Sequence, residues 1–337
     1  GTTFDDAGEV TVKNIDRPIH AWKWHPDKGG PIDTPSAQSM PMAPQASIAV
    51  LPFKNMTNDP EQGYFSDGMA EDIITDLSQV SGLSVIAKNT SFAYRVRDVD
   101  VRQMARDLNV KSVLEGSVRR AGNRIRVTAQ LFDATTGTSI WAERFDRDLT
   151  DVFAIQDELT QYIVDALKVR LSSEESARIF ETRTESVGAH DLYLKARDLV
   201  SAGHINAQRF HEAIDLLGRA IETDPAYAEP YACMAHAYTL DYQNHWSDAD
   251  APLDLADHFV QQSLERSKSV PYAHLIASFI ANWRRELDVS EAAVSKALAL
   301  NPNYALAHCA KGFLAIYKGD PMSAIPHLEQ AIRLDPG

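Results

Sequence analysis

The chain has 337 residues, 44% of them hydrophobic and 24% charged, which is typical of a globular protein with material for two or three domains. Its formal net charge of −14 argues against a nucleic-acid partner, because such proteins neutralise phosphates with clustered lysine and arginine. Cys233 and Cys309 lie in helical patterns, so we expect reduced core residues. No apolar run approaches the roughly 20 residues that span a bilayer, and we expect a cytoplasmic protein without a membrane span.

The start of the chain resembles the end of a domain. Residues 17–24, RPIHAWKW, alternate apolar and polar side chains as an edge strand does, after a Lys-Asn turn at 13–14. The chain begins at Gly1 without a signal-peptide pattern, and we expect it to be part of a longer protein. Residues 26–46 are rich in proline and have no hydrophobic period, which predicts a linker.

Residues 47–172 mix strand and helix signals and are predicted to form one domain. Two short apolar runs, SIAVLPF at 47–53 and LSVIAK at 83–88, predict strands buried on both faces. Each run is followed by apolar residues at helical spacing, at 65–80 and at 100–110. This alternation of strand and helix predicts an α/β layer.

Three more strands are predicted after this layer. The segments SVLEGSVRR, RIRVTAQLFD and TSIWAERFD are joined by short turns that contain Gly122 and Gly137, which predicts a meander. Apolar and polar side chains alternate along the middle strand, so one face of the sheet should be covered by helices and the other solvated. A final helix with one apolar stripe, at 152–171, is predicted to pack across the sheet.

These segments carry a resemblance to a known family. The stretches SIAVLPFKNMTNDPEQGYFSDGMAEDII and LNVKSVLEGSVRRAGNRIRVTAQLFDATTG, both within 47–172, resemble the TolB-like domain of bacterial signalling proteins. The resemblance implies an α/β (α+β) domain with a mixed sheet. TolB-like domains occur between a class III adenylate/guanylate cyclase domain and tetratricopeptide repeats, or behind a winged-helix DNA-binding domain and a transmembrane helix.

The opening segment favours the first of these contexts. GEVTVKNIDRPIHAWKW, residues 8–24, is similar to the closing strands of class III cyclase domains, which implies that residues 1–25 end a truncated cyclase domain. In that family two metal ions, Mg or Mn, and a transition-state Arg and Asn act earlier in the catalytic domain. The resemblance implies a homodimeric nucleotidyl cyclase as parent, while this chain alone is predicted to hold no cofactor and to lack cyclase activity.

Residues 188–337 are rich in alanine and leucine, in helical patterns that end at proline. Those prolines are Pro225, Pro271, Pro302 and Pro336. Their spacing is close to the period of about 34 residues of a tetratricopeptide repeat, with one longer interval that fits the polar stretch 241–252. We predict an all-α tetratricopeptide-repeat solenoid of about four repeats that continues past the end of the chain. The charged stretch 173–187 is predicted to be a connector between separately stable domains, either a helix continued from 152–171 or a hinge.

Two groups of residues are candidates for binding a small anionic ligand on the TolB-like domain. One is a group of arginines around a single hairpin: Arg119, Arg120, Arg124 and Arg126. A solvated edge protected by charge is the alternative. The other group is Ser66, Asp67 and Gly68, predicted at a helix N-terminus where backbone N–H groups can hold an anion or be capped in the ordinary way.

A protein partner is predicted on the concave face of the repeats, which is formed mainly by the first helix of each pair. The segments expected there are 189–200, 228–240, 272–284 and 305–317. The candidate contact residues are Tyr193, Lys195, Tyr231, His274, Trp283, His308 and Lys311. Packing between repeats is the alternative for Tyr231 and Trp283. The histidines show no metal-ligand spacing, so no metal site is predicted.

Two functional hypotheses remain open from the sequence. In one, the chain is the regulatory and protein-interaction part of a bacterial adenylate or guanylate cyclase in cyclic-nucleotide signalling. In the other, it is a non-enzymatic adaptor or scaffold, or the sensor region of a TolB-like transcription regulator. The sequence before Gly1 would discriminate between them.

Overall fold

The structure of the protein is a computed structural model. It describes residues 4–10, 19–24, 46–57, 59–96, 100–201, 206–247 and 251–336. The chain divides into two compact units, Gly1–Ala43 and Pro44–Gly337.

The first unit contains an antiparallel pair of strands, β1 (Phe4–Val10) and β2 (Ile19–Trp24). The register shifts between Asp6 and Gly8. The strand predicted at 17–24 is confirmed over Ile19–Trp24. The predicted turn at 13–14 and all but the last residue of the predicted linker lie outside the described residues.

The second unit is built on a mixed sheet. Its strands are β3 (Ala46–Val50), β4 (Lys54–Asn55), β5 (Leu83–Val85), β6 (Ser112–Ala121), β7 (Arg124–Asp133) and β8 (Ser139–Asp148). The order is β5-β3-β6-β7-β8, and β4 also pairs with β6. Strand β3 is parallel to both neighbours, whereas β6, β7 and β8 form the predicted antiparallel meander. The prediction of a mixed sheet is therefore confirmed.

Strand β7 shows why one face of the sheet is buried and the other is exposed to solvent. Its side chains alternate in burial, and the buried ones are fully enclosed: Ile125, Val127, Ala129 and Leu131. Successive residues of a strand point to opposite faces, so the polar partners are left in solvent. The turns on either side of β7 place Gly122 and Gly137 at φ +59° and +72°, a region that glycine adopts without strain.

In the part of the chain that the structure describes, four α-helices lie in the same region as the sheet: α1 (Gly63–Ser78), α2 (Lys88–Ala93), α3 (Val101–Asp107) and α4 (Val152–Ala166). Helices α1 and α4 share a core with Ile48 and Val50 of β3, while α3 packs with Ala49. These alternate residues of β3 point to opposite faces, so the strand is buried on both sides, as predicted. Helix α2 was not predicted.

The segment after α4 is a separate short helix, α5 (Ser173–Ile179). The Ser172 hydroxyl accepts a hydrogen bond from the Glu175 N–H, and the Glu175 carboxylate accepts one from the Ser172 N–H. Glu175 also accepts a hydrogen bond from the Ser81 N–H, at 2.8 Å. Ile179 is buried in the core that the sheet and the following helices share. The predicted continuation of the helix at 152–171 into the connector is wrong, because α4 ends at Ala166 and Ser173–Ile179 form a separate helix. The shared core argues against the expected separate stability of the two parts.

The remaining helices of the described residues form four pairs. They are α6 (Val187–Ser201) with α7 (Ala207–Thr223), α8 (Ala228–Asn244) with α9 (Pro252–Arg266), α10 (Pro271–Trp283) with α11 (Leu287–Leu300), and α12 (Ala305–Tyr317) with α13 (Pro321–Leu334). Four helix pairs agree with the predicted repeats, and the longer interval lies between α8 and α9. The aspartates at 248–250 lie outside the described residues.

No helix in the described residues is both long and apolar enough to cross a membrane. Within the same residues, no group of three or more histidine, cysteine, aspartate and glutamate side chains is arranged to hold a metal ion.

Candidate functional site

The first junction between the repeats and the α/β part joins α6 to α1. Arg197 donates to the Asp72 carboxylate at 2.8 Å and to the Gly68 carbonyl at 3.2 Å. A Cβ atom at Gly68 would stand 2.7 Å from the Leu194 side chain, so glycine permits this close approach. The junction therefore depends on a buried ion pair and on a position without a side chain.

Asp72 lies at the centre of this junction and is 5% exposed. Gln156 of α4 donates to it at 2.9 Å, and His190 Nε2 lies 3.3 Å from its Oδ2. Burial would raise the pKa of the Asp72 carboxyl, but the charge of Arg197 and the neighbouring His190 lower that pKa below its usual value. Asp72 is thus a stable carboxylate inside the protein.

A second group of charges surrounds Arg183, in the segment between α5 and α6. Its guanidinium forms an ion pair with Asp76 of α1 and lies 3.6 Å from Glu229 of α8. Burial raises the pKa of Asp76 to about 6 and also raises the pKa values of Glu229 and Asp157, and in each case Arg183 opposes the rise. The charge of one guanidinium therefore favours the ionised form of three carboxylates.

The second junction joins the start of α12 to the loop between α1 and β5. The Asn303 side-chain amide donates to the Leu83 carbonyl at 2.8 Å and to the Ser78 carbonyl at 3.0 Å, and its oxygen accepts from the Val85 N–H at 3.4 Å. Asn301 donates to the Ser78 hydroxyl at 2.9 Å. Both asparagines are buried, so this junction is formed by neutral amide groups.

The end of α13 adds to the second junction. The Ala87 N–H donates to the Leu334 carbonyl at 2.8 Å, and the Thr90 hydroxyl donates to the Asp335 carboxylate at 2.5 Å. The carbonyl ends of a helix have no partner within the helix, and here the α/β part supplies a donor for one of them.

A cavity of about 630 Å³ lies between the two junctions. Residues of α1 and α6 line it, together with residues at the starts of α8, α10 and α12. Aromatic rings line it: Phe153, Tyr193, Tyr227, Tyr272 and Tyr304. Asp72 and the group around Arg183 also line it, so buried charges and aromatic rings meet in one space.

The predicted helix start at Ser66 and Asp67 is wrong. Helix α1 begins at Gly63, one turn earlier, and its N-cap is Gln62. Ser66 is buried, and the Asp67 carboxylate accepts a hydrogen bond from Arg95 at 2.5 Å. Since Ser66, Asp67 and Gly68 lie inside the helix, the end of α1 does not present the anion site that the sequence suggested.

The predicted arginine group is divided between the two faces of the sheet. Arg119 lies opposite Arg126 in the register of β6 and β7, whereas Arg120 lies opposite the buried Ile125. Arg124 and Arg126 form ion pairs with Asp146.

Arg120 instead donates to Asp191 of α6 at 3.0 Å. Adjacent residues of a strand point to opposite faces, so Arg119 and Arg120 belong to different surfaces. The structure does not bring all four arginines together.

The predicted partner residues differ in exposure. Tyr193 is 5% exposed and packs edge-on against Tyr227, in the cavity wall. Tyr231 is 3% exposed, and the Arg266 guanidinium lies 3.8 Å from the centre of its ring. Tyr231 is therefore buried against α9 of its own helix pair, which differs from the packing between repeats that was the alternative for this residue.

The other candidates are partly exposed. Lys195 lies over the Tyr64 ring, and Trp283 packs against Tyr242 and Phe279. Within the repeats, His274 contacts the Lys268 carbonyl, His308 contacts the Pro302 carbonyl and the His327 ring, and Lys311 donates to the Ser295 hydroxyl.

The sequence of α1 contains a pattern that could have predicted the buried charges of the cavity. Asp72 and Asp76 fall on the same stripe of α1 as Met69, Ile73 and Leu77, which are buried. Ionisable side chains at apolar positions are rarely buried without partners. Two carboxylates on that stripe therefore indicate buried cations elsewhere in the chain.

One family model and one curated protein are similar to parts of this chain. Residues 44–162 match the family described as "HilA/YgeH-like transcriptional regulator, second domain". Over 296 residues the chain is 46% identical to the "Putative adenylate cyclase 3" of Rhizobium meliloti (strain 1021). The alignment covers 86% of this chain and 49% of that protein, so the chain spans about half the length of this curated relative.

Solved structures resemble parts of the chain at low similarity. A tetratricopeptide-repeat protein of Thermus thermophilus matches with a TM-score of 0.39 and 18% identity, over 56% of this chain and 90% of its own. TolB from Acinetobacter baumannii matches with a TM-score of 0.27 and 15% identity, over 36% of this chain and 28% of its own. The assignment of tetratricopeptide-like repeats rests on the four helix pairs.

Proposed function

We propose that this chain is the regulatory and protein-interaction region of a bacterial adenylate or guanylate cyclase that acts in cytoplasmic cyclic-nucleotide signalling. Residues 47–172 form its TolB-like domain and 188–337 its tetratricopeptide repeats, joined by the connector 173–187. Residues 1–25 are the last strands of the cyclase domain, joined to the rest by the linker 26–46. The catalytic residues and the Mg or Mn ions belong to the preceding part of a homodimeric parent protein.

The observation that carries this proposal is the 46% identity to a protein named as a putative adenylate cyclase. The alignment is 296 residues long, more than either the α/β part or the repeats, so the similarity extends over both.

The test begins with the gene. Sequencing upstream of the Gly1 codon should reveal a class III cyclase domain with two metal-binding aspartates. The full-length product should form cAMP from ATP or cGMP from GTP with Mg²⁺ or Mn²⁺, and the 337-residue chain alone should form neither. A full-length product that makes no cyclic nucleotide would overturn the proposal.

The repeats are proposed to hold the protein partner. Tyr193 and Tyr231 are buried, so the test uses three polar members of the partly exposed candidates, Lys195, His274 and Lys311. The triple alanine variant should reduce binding of a partner identified by cross-linking and mass spectrometry, while the melting temperature changes little. Unchanged binding would place the partner on another surface.

The family match of residues 44–162 favours a second candidate, the sensor region of a transcription regulator. With a net charge of −14, this chain would leave DNA binding to another domain. The same sequencing experiment discriminates, because a winged-helix domain upstream, and promoter binding by the full-length product, would support this candidate instead.

A further inference from the structure

The cavity between the two junctions has the dimensions of a small-molecule site. Ligand pockets in proteins usually measure about 300–1,000 Å³ and often lie where two parts of a protein meet. This cavity, of about 630 Å³, lies between α1 and the repeats. Residues of both junctions, among them Asp72, Arg197, Asn301 and Asn303, line it.

Negative charge exceeds positive charge in this cavity. Aspartates and glutamates outnumber lysines and arginines among the residues that line it. The excess is concentrated around Arg183, where Asp76 is 7% exposed and Glu229 is 17% exposed at their side chains. Buried carboxylates without full compensation are costly, so a bound cation would stabilise them.

The aromatic lining fits the same class of ligand. Ammonium and guanidinium groups bind over aromatic faces, most strongly when water is excluded. The cavity wall already holds one such group, because the Arg197 guanidinium lies 5.1 Å from the centre of the Tyr193 ring and donates to Asp72. Tyr227 and Tyr272 offer further rings near the starts of α8 and α10.

His190 gives an independent indication of a ligand. The residue is 5% exposed and lines the cavity. Its Nδ1 contacts the Tyr227 hydroxyl at 3.2 Å, and its Nε2 lies 3.3 Å from Asp72 Oδ2 but makes no well-aligned hydrogen bond within the described residues. Buried polar groups are almost always satisfied, and exceptions are found where a ligand or an ion binds.

We propose that this cavity binds a small organic cation with an ammonium or guanidinium group. Asp76 and Glu229 hold the charged group beside Arg183, and the rings of Tyr227 and Tyr272 cover the rest of the molecule. The proposal does not depend on the proposed function, because binding is measured directly on this chain.

Isothermal titration of the 337-residue chain tests the proposal, with agmatine, spermidine and tyramine as probes. At least one amine should bind with a Kd below about 1 mM. Butane-1,4-diol and succinate, which are neutral and anionic, should not bind. Absence of binding by all three amines, or equal binding of succinate, overturns the proposal.

Variants then locate the site. Glu229→Gln keeps the shape of the side chain and should weaken amine binding about tenfold or more, because the charged acceptor is lost. Glu222→Gln, on the exposed surface of α7, is the matched control and should bind as the unaltered protein does. Asp76→Asn should behave like Glu229→Gln; if it does not fold, the Glu229 variant alone decides. Equal affinity in Glu229→Gln and Glu222→Gln contradicts the proposed site.

Discussion

The two junctions between the repeats and the α/β part are built from different chemistry. The α6 junction rests on charge, with Arg197 and Asp72 paired in a buried position. The α12 junction rests on neutral amides, with Asn303 bonded to the backbone of the loop before β5. A buried charge is costly once its partner is removed, whereas a neutral amide loses only its hydrogen bonds. The first junction should therefore be the more sensitive to substitution.

Replacement of Arg197 by methionine should have the largest effect. Methionine retains an unbranched side chain but leaves the Asp72 carboxylate buried without its main cation, a change that costs about 3–5 kcal/mol. Urea titrations should show the free energy of unfolding falling by this amount. The control is Arg219→Met on the exposed surface of α7, where Arg219 pairs with Asp215 at 3.5 Å and a change of less than about 0.5 kcal/mol is expected. Equal losses in the two variants would mean that the buried pair does not hold the junction.

Replacement of Asn303 by alanine should have a smaller and more local effect. The change leaves the Leu83 carbonyl and the Val85 N–H without the Asn303 side chain, at a cost of about 1–3 kcal/mol, whereas the Ser78 carbonyl still accepts from the backbone N–H of residue 303 at 3.3 Å. Hydrogen exchange at the Val85 amide should become faster as the end of the solenoid opens. Asn244→Ala removes an exposed amide on α8 and should leave that exchange rate unchanged. If Val85 remains protected, the second junction does not depend on Asn303.

Much of the fold could be predicted because it repeats over short distances in the sequence. The alternation in β7 and the apolar stripes of α1 and α4 are periodic patterns, and the structure confirms them. Helix α2 was missed because its six residues, KNTSFA, are too few to show a stripe. The start of α1 was placed a turn late because Ser66 and Asp67 resemble capping residues, although Ser66 is buried within the helix.

The junctions and the cavity could not be predicted in the same way. Arg197 and Asp72 are 125 residues apart, and Asn303 and Leu83 are 220 residues apart. No local pattern specifies which helix face meets which loop, because the curvature of the whole solenoid decides it. The division of the arginine group, in contrast, follows from strand alternation and was predictable for Arg119 and Arg120.

Glu175 provides a test of α5, the helix whose cap contacts the α/β part. Its carboxylate accepts hydrogen bonds from the Ser172 and Ser81 N–H groups. Burial opposes ionisation, but these hydrogen bonds lower the pKa of Glu175 from 4.5 to about 2. A lowered pKa means that the ionised form stabilises the folded state above pH 4.5, and that this contribution is lost as the pH falls from 4.5 toward 2.

The Glu175→Gln variant should therefore lose about 1 kcal/mol of stability at neutral pH, the usual value of such a cap. The difference from the unaltered protein should shrink as the pH falls through this window. Glu174→Gln, at an exposed neighbour, serves as the control and should show little change. A difference that grows in acid would contradict the stabilising role of the carboxylate.

Lys195 should have the smallest effect, although it lies two residues from Arg197 on the same helix and also contacts the α/β part. Its ammonium is 3.1 Å from Asp191 and lies over the Tyr64 ring, but its side chain is 40% exposed against 11% for Arg197. Water and salt screen an exposed pair, so Lys195→Ala should change the free energy of unfolding by no more than about 0.5 kcal/mol.

Unfolding measured at low salt and at about 1 M salt distinguishes the contribution of Lys195 from that of Arg197. The small effect of Lys195→Ala should disappear at high salt, where charges separated by more than about 3 Å are screened. The effect of Arg197→Met should persist, because solvent ions do not reach the buried pair. Loss of both effects at high salt would show that the α6 junction is open to solvent and not a buried ion pair.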